Sequence, residues 1–132
     1  MNIKLRRFST SLVVLALFLS LSIKLSAQAP PPPAYPPATP GLLSQAYAAL
    51  SQADHDYKGH RVRAMKQIRA AAKELGFSLS GSGHGHEAQT MSDQQLRTAQ
   101  NLLQQASTGL PPGPQQHVQN ALAQISIALS IK

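Results

Sequence analysis

The chain contains no cysteine. That excludes disulfides, a lipid anchor on a thiol, haem attached at Cys-x-x-Cys-His and any thiolate metal site. Whatever folds is held by its core alone. Carboxylates are nearly as scarce, with five Asp and Glu in 132 residues. They are too few and too local to suggest the paired carboxylates of a hydrolase. Aromatic residues make up 5% of the chain, and none interleaves with the basic residues as a nucleic-acid platform requires. A nucleic-acid partner is therefore not expected. Gly-x-Ser-x-Gly, His-Glu-x-x-His, a phosphate loop and a dinucleotide fingerprint are all missing. The expectation is a protein that is not an enzyme and carries no cofactor.

A long apolar run is missing too. The apolar stretch 11–23 falls short of the roughly 20 residues that a membrane span needs. Lys4, Arg6 and Arg7 precede it, and the small residues Ser26, Ala27 and Ala29 follow. That order is a secretory signal peptide, which predicts a periplasmic or secreted protein. Cleavage after Ala29 would set Pro30 against the scissile bond, so cleavage after Ala27 is preferred, giving a signal peptide of 1–27. The alternative is an uncleaved N-terminal anchor, the one route by which a membrane is expected to take part. Four of the 12 Lys and Arg lie in the leader, so the formal charge falls from +7 to +3 without it. The remaining basic residues are lopsided: Lys58, Arg61, Arg63, Lys66, Arg69 and Lys73 share one stretch.

Residues 28–40 are proline-rich and read as a disordered, semi-rigid linker. Beyond it the pattern is helical throughout. Leu43, Ala46, Leu50 and Ala53 repeat at steps of three and four, as one face of a helix does. Thr39 is placed to cap this first helix, with Pro40 at its start. A second helix, starting near Asp56 with that carboxylate as its cap, carries Ala64, Met65, Ile68, Ala71, Ala72 and Leu75. Gly76 is a natural left-handed stop, on which Phe77 folds back. Residues 77–91 form the loop between the two hairpins, within which 78–90, rich in glycine and serine, read as mobile. Ser92 and Gln95 form the pattern of a capping box, bracketed by Met91 and Leu96 as a staple. The third helix then carries Leu96, Ala99, Leu103 and Ala106, and the fourth carries Val118, Leu122, Ile125 and Leu129 with Ala121 and Ala128 alongside.

Helices one and two recur in helices three and four. A shift of 53 puts five identities into the 11 positions 43–53. A shift of 57 lays His60, Ala64, Gln67, Ile68 and Ala71 on His117, Ala121, Gln124, Ile125 and Ala128. The predicted fold is all-α: an antiparallel four-helix bundle over 41–132, made of two duplicated hairpins at about 41–76 and 92–131. In an up-down-up-down arrangement His60 and His117 would lie at the same end.

The densest chemistry is Asp54, His55, Asp56, Tyr57, His60 and Arg61, all within eight residues. The favoured reading is a tightly specified turn, in which Tyr57 covers the end of the bundle, Gly59 admits a neighbouring backbone and His60 bonds across the hairpin. The alternative is a metal-binding or metal-buffering site on the histidines and carboxylates, donors that suit zinc. The five-residue spacing of the histidines is poor for one helical face. His84 and His86 could form a weaker, separate site. The basic face of the second helix could meet phosphate or lipid headgroups, although a solvated surface is its usual meaning. No catalytic residue and no definite metal ligand is assigned. The run 53–64, Ala-Asp-His-Asp-Tyr-Lys-Gly-His-Arg-Val-Arg-Ala, resembles a segment of small exported bacterial helical proteins with no established activity. The resemblance implies export and two short helical hairpins, and carries no site residue. The expected role is structural, or the binding of a protein partner.

Overall fold

The computed structural model describes residues 31, 33–53, 57–81 and 88–131. The expected signal peptide and cleavage site, Asp54, His55, Asp56, His84 and His86 lie outside them. The helices belong to one compact unit, Pro32–Lys132. Its described residues form four α-helices and no strand: α1 (Thr39–Gln52), α2 (His60–Glu74), α3 (Gln89–Ala106) and α4 (Pro112–Ser130), with a 3-10 turn at Tyr57–Gly59 before α2.

Each helix is amphipathic, and the faces read from the sequence are the buried ones. Leu43, Ala46, Leu50 and Ala53, then Leu96, Ala99, Leu103 and Ala106, are closed to solvent. On α2 the core residues are Ala64, Met65, Ile68, Ala71 and Ala72. On α4 the stripe differs from expectation: Val118, Ala121, Ile125 and Ala128 are buried, while Leu122 and Leu129 pack at its rim. Alanine on the contact line lets two helices approach closely, and the larger leucines then fit only beside that line.

Two helix pairs dominate the packing, α2 with α4 and α1 with α3, whereas α1 does not approach α4, nor α2 α3. Side-chain contacts fix the directions. His60 at the start of α2 meets Gln124 well along α4, and His117 near the start of α4 meets Gln67 and Glu74. The two helices therefore run antiparallel. An up-down-up-down order would have made them parallel, so His60 and His117 are not side by side. Each faces a glutamine of the opposite helix, roughly 10 Å apart along the axis by helical rise.

This arrangement changes the meaning of the long connection. Tyr57, just before α2, bonds to Asp93 in the first turns of α3. Hence α3 begins at the end where α2 begins, while the end of α2 lies about 22 Å away by helical rise. The described segment after α2, 75–81, is held in place. Leu75, Gly76 and Phe77 close α2 as expected, with the Phe77 amide donating to Ala72 O and the Gly76 amide to Lys73 O. Phe77 and Leu79 pack on the core. Tyr47 Oη donates to Gly81 O at 2.7 Å, Arg69 Nη2 donates to the same oxygen at 3.0 Å, and the Arg69 guanidinium lies over the Tyr47 ring. The mobile-loop expectation fails over 78–81, because Leu79 packs on the core and Gly81 O accepts from two side chains.

Three further expectations fail at helix starts. Thr39 is the first residue of α1, not its cap, and its buried hydroxyl makes no hydrogen bond. Ser92 lies inside α3, which begins three residues earlier, and makes no cap. It is fully buried, and Met91 is 53% exposed, so neither capping box nor staple forms. The end of the proline tract is not a free linker either. Tyr35 Oη donates to Leu75 O, Thr39 N donates to Pro36 O, and the Pro36 ring sits against Gly109.

The alanine seam predicts an asymmetry that urea denaturation can check. Ala121→Leu should lower stability by about 1–3 kcal/mol through overpacking. Val62→Ala, on a side chain 45% exposed, should stay within about 0.5 kcal/mol of the parent.

Candidate functional site

Helix α2 does not begin near Asp56 with a carboxylate cap. Its N-cap is Gly59, at φ 77°, with no side-chain capping bond. Three consecutive residues before it have left-handed backbone: Tyr57 at φ 42°, Lys58 at φ 51° and Gly59. The left-handed region costs an L-residue roughly 1–2 kcal/mol, so two non-glycine residues there need compensation. Gly59 is needed for its φ alone, since a Cβ at that position would meet nothing within 4 Å. The expectation that it admits a neighbouring backbone is not met.

The compensation is Tyr57. Its side chain is 1% exposed, and its hydroxyl donates to Asp93 Oδ1 at 2.6 Å, a short charge-assisted bond. Burial pushes the phenol well above its ordinary ionisation range, and the bond and charge of Asp93 push the same way. The nearby Ser92 hydroxyl and the Arg61 charge oppose the rise more weakly. Ser92 Oγ lies close to the phenol but outside hydrogen-bonding geometry.

The other described members of the cluster turn elsewhere. Arg61 Nη1 donates to Leu50 O at 3.0 Å, supplying one of the last carbonyls of α1 with a donor from α2. His60 Nδ1 lies 2.8 Å from Gln124 Oε1 on α4. Tyr57, His60 and Arg61 thus reach α3, α4 and α1 respectively, and do not converge on one point. Asp54, His55 and Asp56 lie outside the described residues, and so do His84 and His86. Among the described residues no group of three metal-ligating side chains comes together.

The site has two parts that the sequence did not single out. Asp93 was hidden beside Ser92, whose capping pattern claimed attention. Gln67 and Gln124 were visible only as matching positions in the expected repeat. Their role appears in space: His117 Nδ1 is 2.8 Å from Gln67 Oε1, the counterpart of His60 with Gln124. His117 Nε2 also lies 3.1 Å from Glu74 Oε1.

Two outcomes follow for the turn. Gly59→Ala should destabilise by about 1–2 kcal/mol, because the added Cβ meets left-handed backbone and not a neighbour. The raised phenol ionisation makes stability depend on alkaline pH. Above pH 10 the unfolded tyrosine loses its proton while folded Tyr57 keeps it, so stability falls as pH rises, by up to about 1.4 kcal/mol per pH unit. Denaturation curves between pH 9 and 11 should show that extra slope in the parent and not in Tyr57→Phe.

No family model, curated protein or solved structure matches this chain.

Proposed function

We propose that this is an exported, non-enzymatic helical-bundle protein with a structural or protein-binding role in the periplasm. The observation that carries the reading is the divergence of Tyr57, His60 and Arg61 to three different helices. A catalytic or ligand set needs its polar atoms aimed at one place. These are aimed at α1, α3 and α4, where they hold the helices in register. The leader-like residues 1–27 and the resemblance of 53–64 to exported bacterial proteins support the address.

The bundle we infer is antiparallel, in the cyclic order α1, α2, α4, α3, and is built from two copies of one hairpin. The reciprocal pairs His60–Gln124 and His117–Gln67 support the duplication, since the shift of 57 exchanges one for the other. The buried alanines do so too: Ala46 matches Ala99, Ala53 matches Ala106, Ala64 matches Ala121 and Ala71 matches Ala128. A pseudo-twofold axis through the α2/α4 contact accounts for both sets.

Two experiments test the reading. Mild crosslinking in periplasmic extract should recover a protein partner, and recovery of the chain alone would argue against the binding role. His60→Ala should lower the melting temperature by a few degrees, as loss of one hydrogen bond implies, and zinc should shift neither protein. A zinc-dependent rise in the parent that disappears in His60→Ala would reverse the conclusion in favour of a metal site.

A further inference from the structure

Along the α2/α4 contact runs an open groove of about 260 Å³, lined by Arg63, Lys66, Gln67, Asn120, Ala123 and Gln124. It lies on the side of α2 that faces solvent, and its lining is chemically one-sided. Two side chains are cationic, three are carboxamides, and none is acidic. Among the described residues neither Arg63 nor Lys66 has an ion-pair partner. The described acidic residues are already engaged: Asp93 with Tyr57 and Glu74 with His117.

The carboxamides are held, not loose. Gln124 Oε1 is fixed on His60 Nδ1 and Gln67 Oε1 on His117 Nδ1. A carboxamide is planar, so fixing its oxygen fixes its amino group. Each amino group carries two N–H donors, and none has an acceptor among the described residues. The two histidines therefore act as positioning residues, setting two amide donors into a groove that already holds a guanidinium and an ammonium. The repeat-related positions 63 and 120, 66 and 123, 67 and 124 all line it. The groove is thus centred on the pseudo-twofold axis and collects donors from both copies.

We propose that this groove is a binding site for an oxyanion of the phosphoryl type, carried on a small molecule or a headgroup. Arg63 supplies a planar fork of donors and Lys66 a compact charge. With the amides of Gln67 and Gln124 these exceed what the two oxygens of a carboxylate can use, and suit the terminal oxygens of a tetrahedral anion. The volume lies just under the range of drug-sized ligand pockets, which fits a phosphorylated head and not a large ligand. This site is distinct from the Tyr57 turn and goes beyond the structural role assigned above.

Inorganic phosphate is the first probe. Its titration should move the side-chain amide resonances of Gln67 and Gln124 saturably and raise the melting temperature. Arg63→Gln and Lys66→Gln, both on exposed positions, should abolish these changes while leaving the protein folded. Gln124→Glu keeps an oxygen for His60 but replaces the donors with negative charge, and should abolish them as well. Lys73→Gln removes the same charge from the same helix outside the groove, and should bind as the parent does. Phosphatidylglycerol vesicles against phosphatidylcholine vesicles separate the sources. Capture by the anionic vesicles that phosphate does not displace, yet that Lys66→Gln eliminates, assigns a lipid headgroup. Competition by phosphate assigns the free anion. The proposal is overturned if neither probe binds saturably, or if Lys73→Gln loses as much as Lys66→Gln, which would mean general charge attraction and no site.

Discussion

Tyr57 stands where α1 ends and α2 and α3 begin, and its buried hydroxyl bond to Asp93 is the constraint from which the rest of the arrangement follows. The left-handed backbone at Tyr57 and Lys58 is unfavourable in isolation. It persists because it delivers a large aromatic ring into the core and a donor to a carboxylate. Once that ring is seated, the direction of α2 relative to α1 is set, and the start of α3 is held at the same end of the molecule. Arg61 strengthens the corner by supplying the Leu50 carbonyl, which the end of α1 leaves without a helical partner.

The core stripes of α1, α2 and α3 were legible in the sequence because burial follows the helical period directly. Leu43, Ile68 and Leu103 could be placed inside from spacing alone. Helix starts were less legible. Thr39 and Ser92 have the residue types of caps, but both side chains are drawn into the interior, where the packing of neighbouring helices decides their environment. A local pattern such as Ser-x-x-Gln cannot register that competition. The choice between Leu122 and Ala121 for the α4 contact line was equally invisible, since it depends on how closely α2 approaches.

Helix order was the least legible feature. The repeat between helix pairs is a statement about sequence, and it is compatible with either direction of α4 against α2. Only the pairing of His60 with Gln124 and of Glu74 with His117 fixes that direction. The same pairs explain why the turn cluster read ambiguously. Tyr57, His60 and Arg61 are adjacent in the chain but serve three different neighbours. Proximity in sequence suggested a common site, which the geometry of one tight turn does not provide.

The separation between the end of α2 and the start of α3 also has a kinetic consequence. Helices adjacent in the chain, α1 with α2 and α3 with α4, touch lightly, while the extensive contacts join residues far apart in the chain, such as Gln67 with His117 and His60 with Gln124. The first hairpin alone would leave the buried faces of α1 and α2 uncovered. An all-helical chain ordinarily folds fast because its contacts are local. Here the extensive packing joins helices distant in the chain, so the buried face of α2 lacks its main cover until α4 is present. A nascent chain that has not yet delivered α4 therefore leaves Ala64, Ile68 and Ala71 without the helix they pack against.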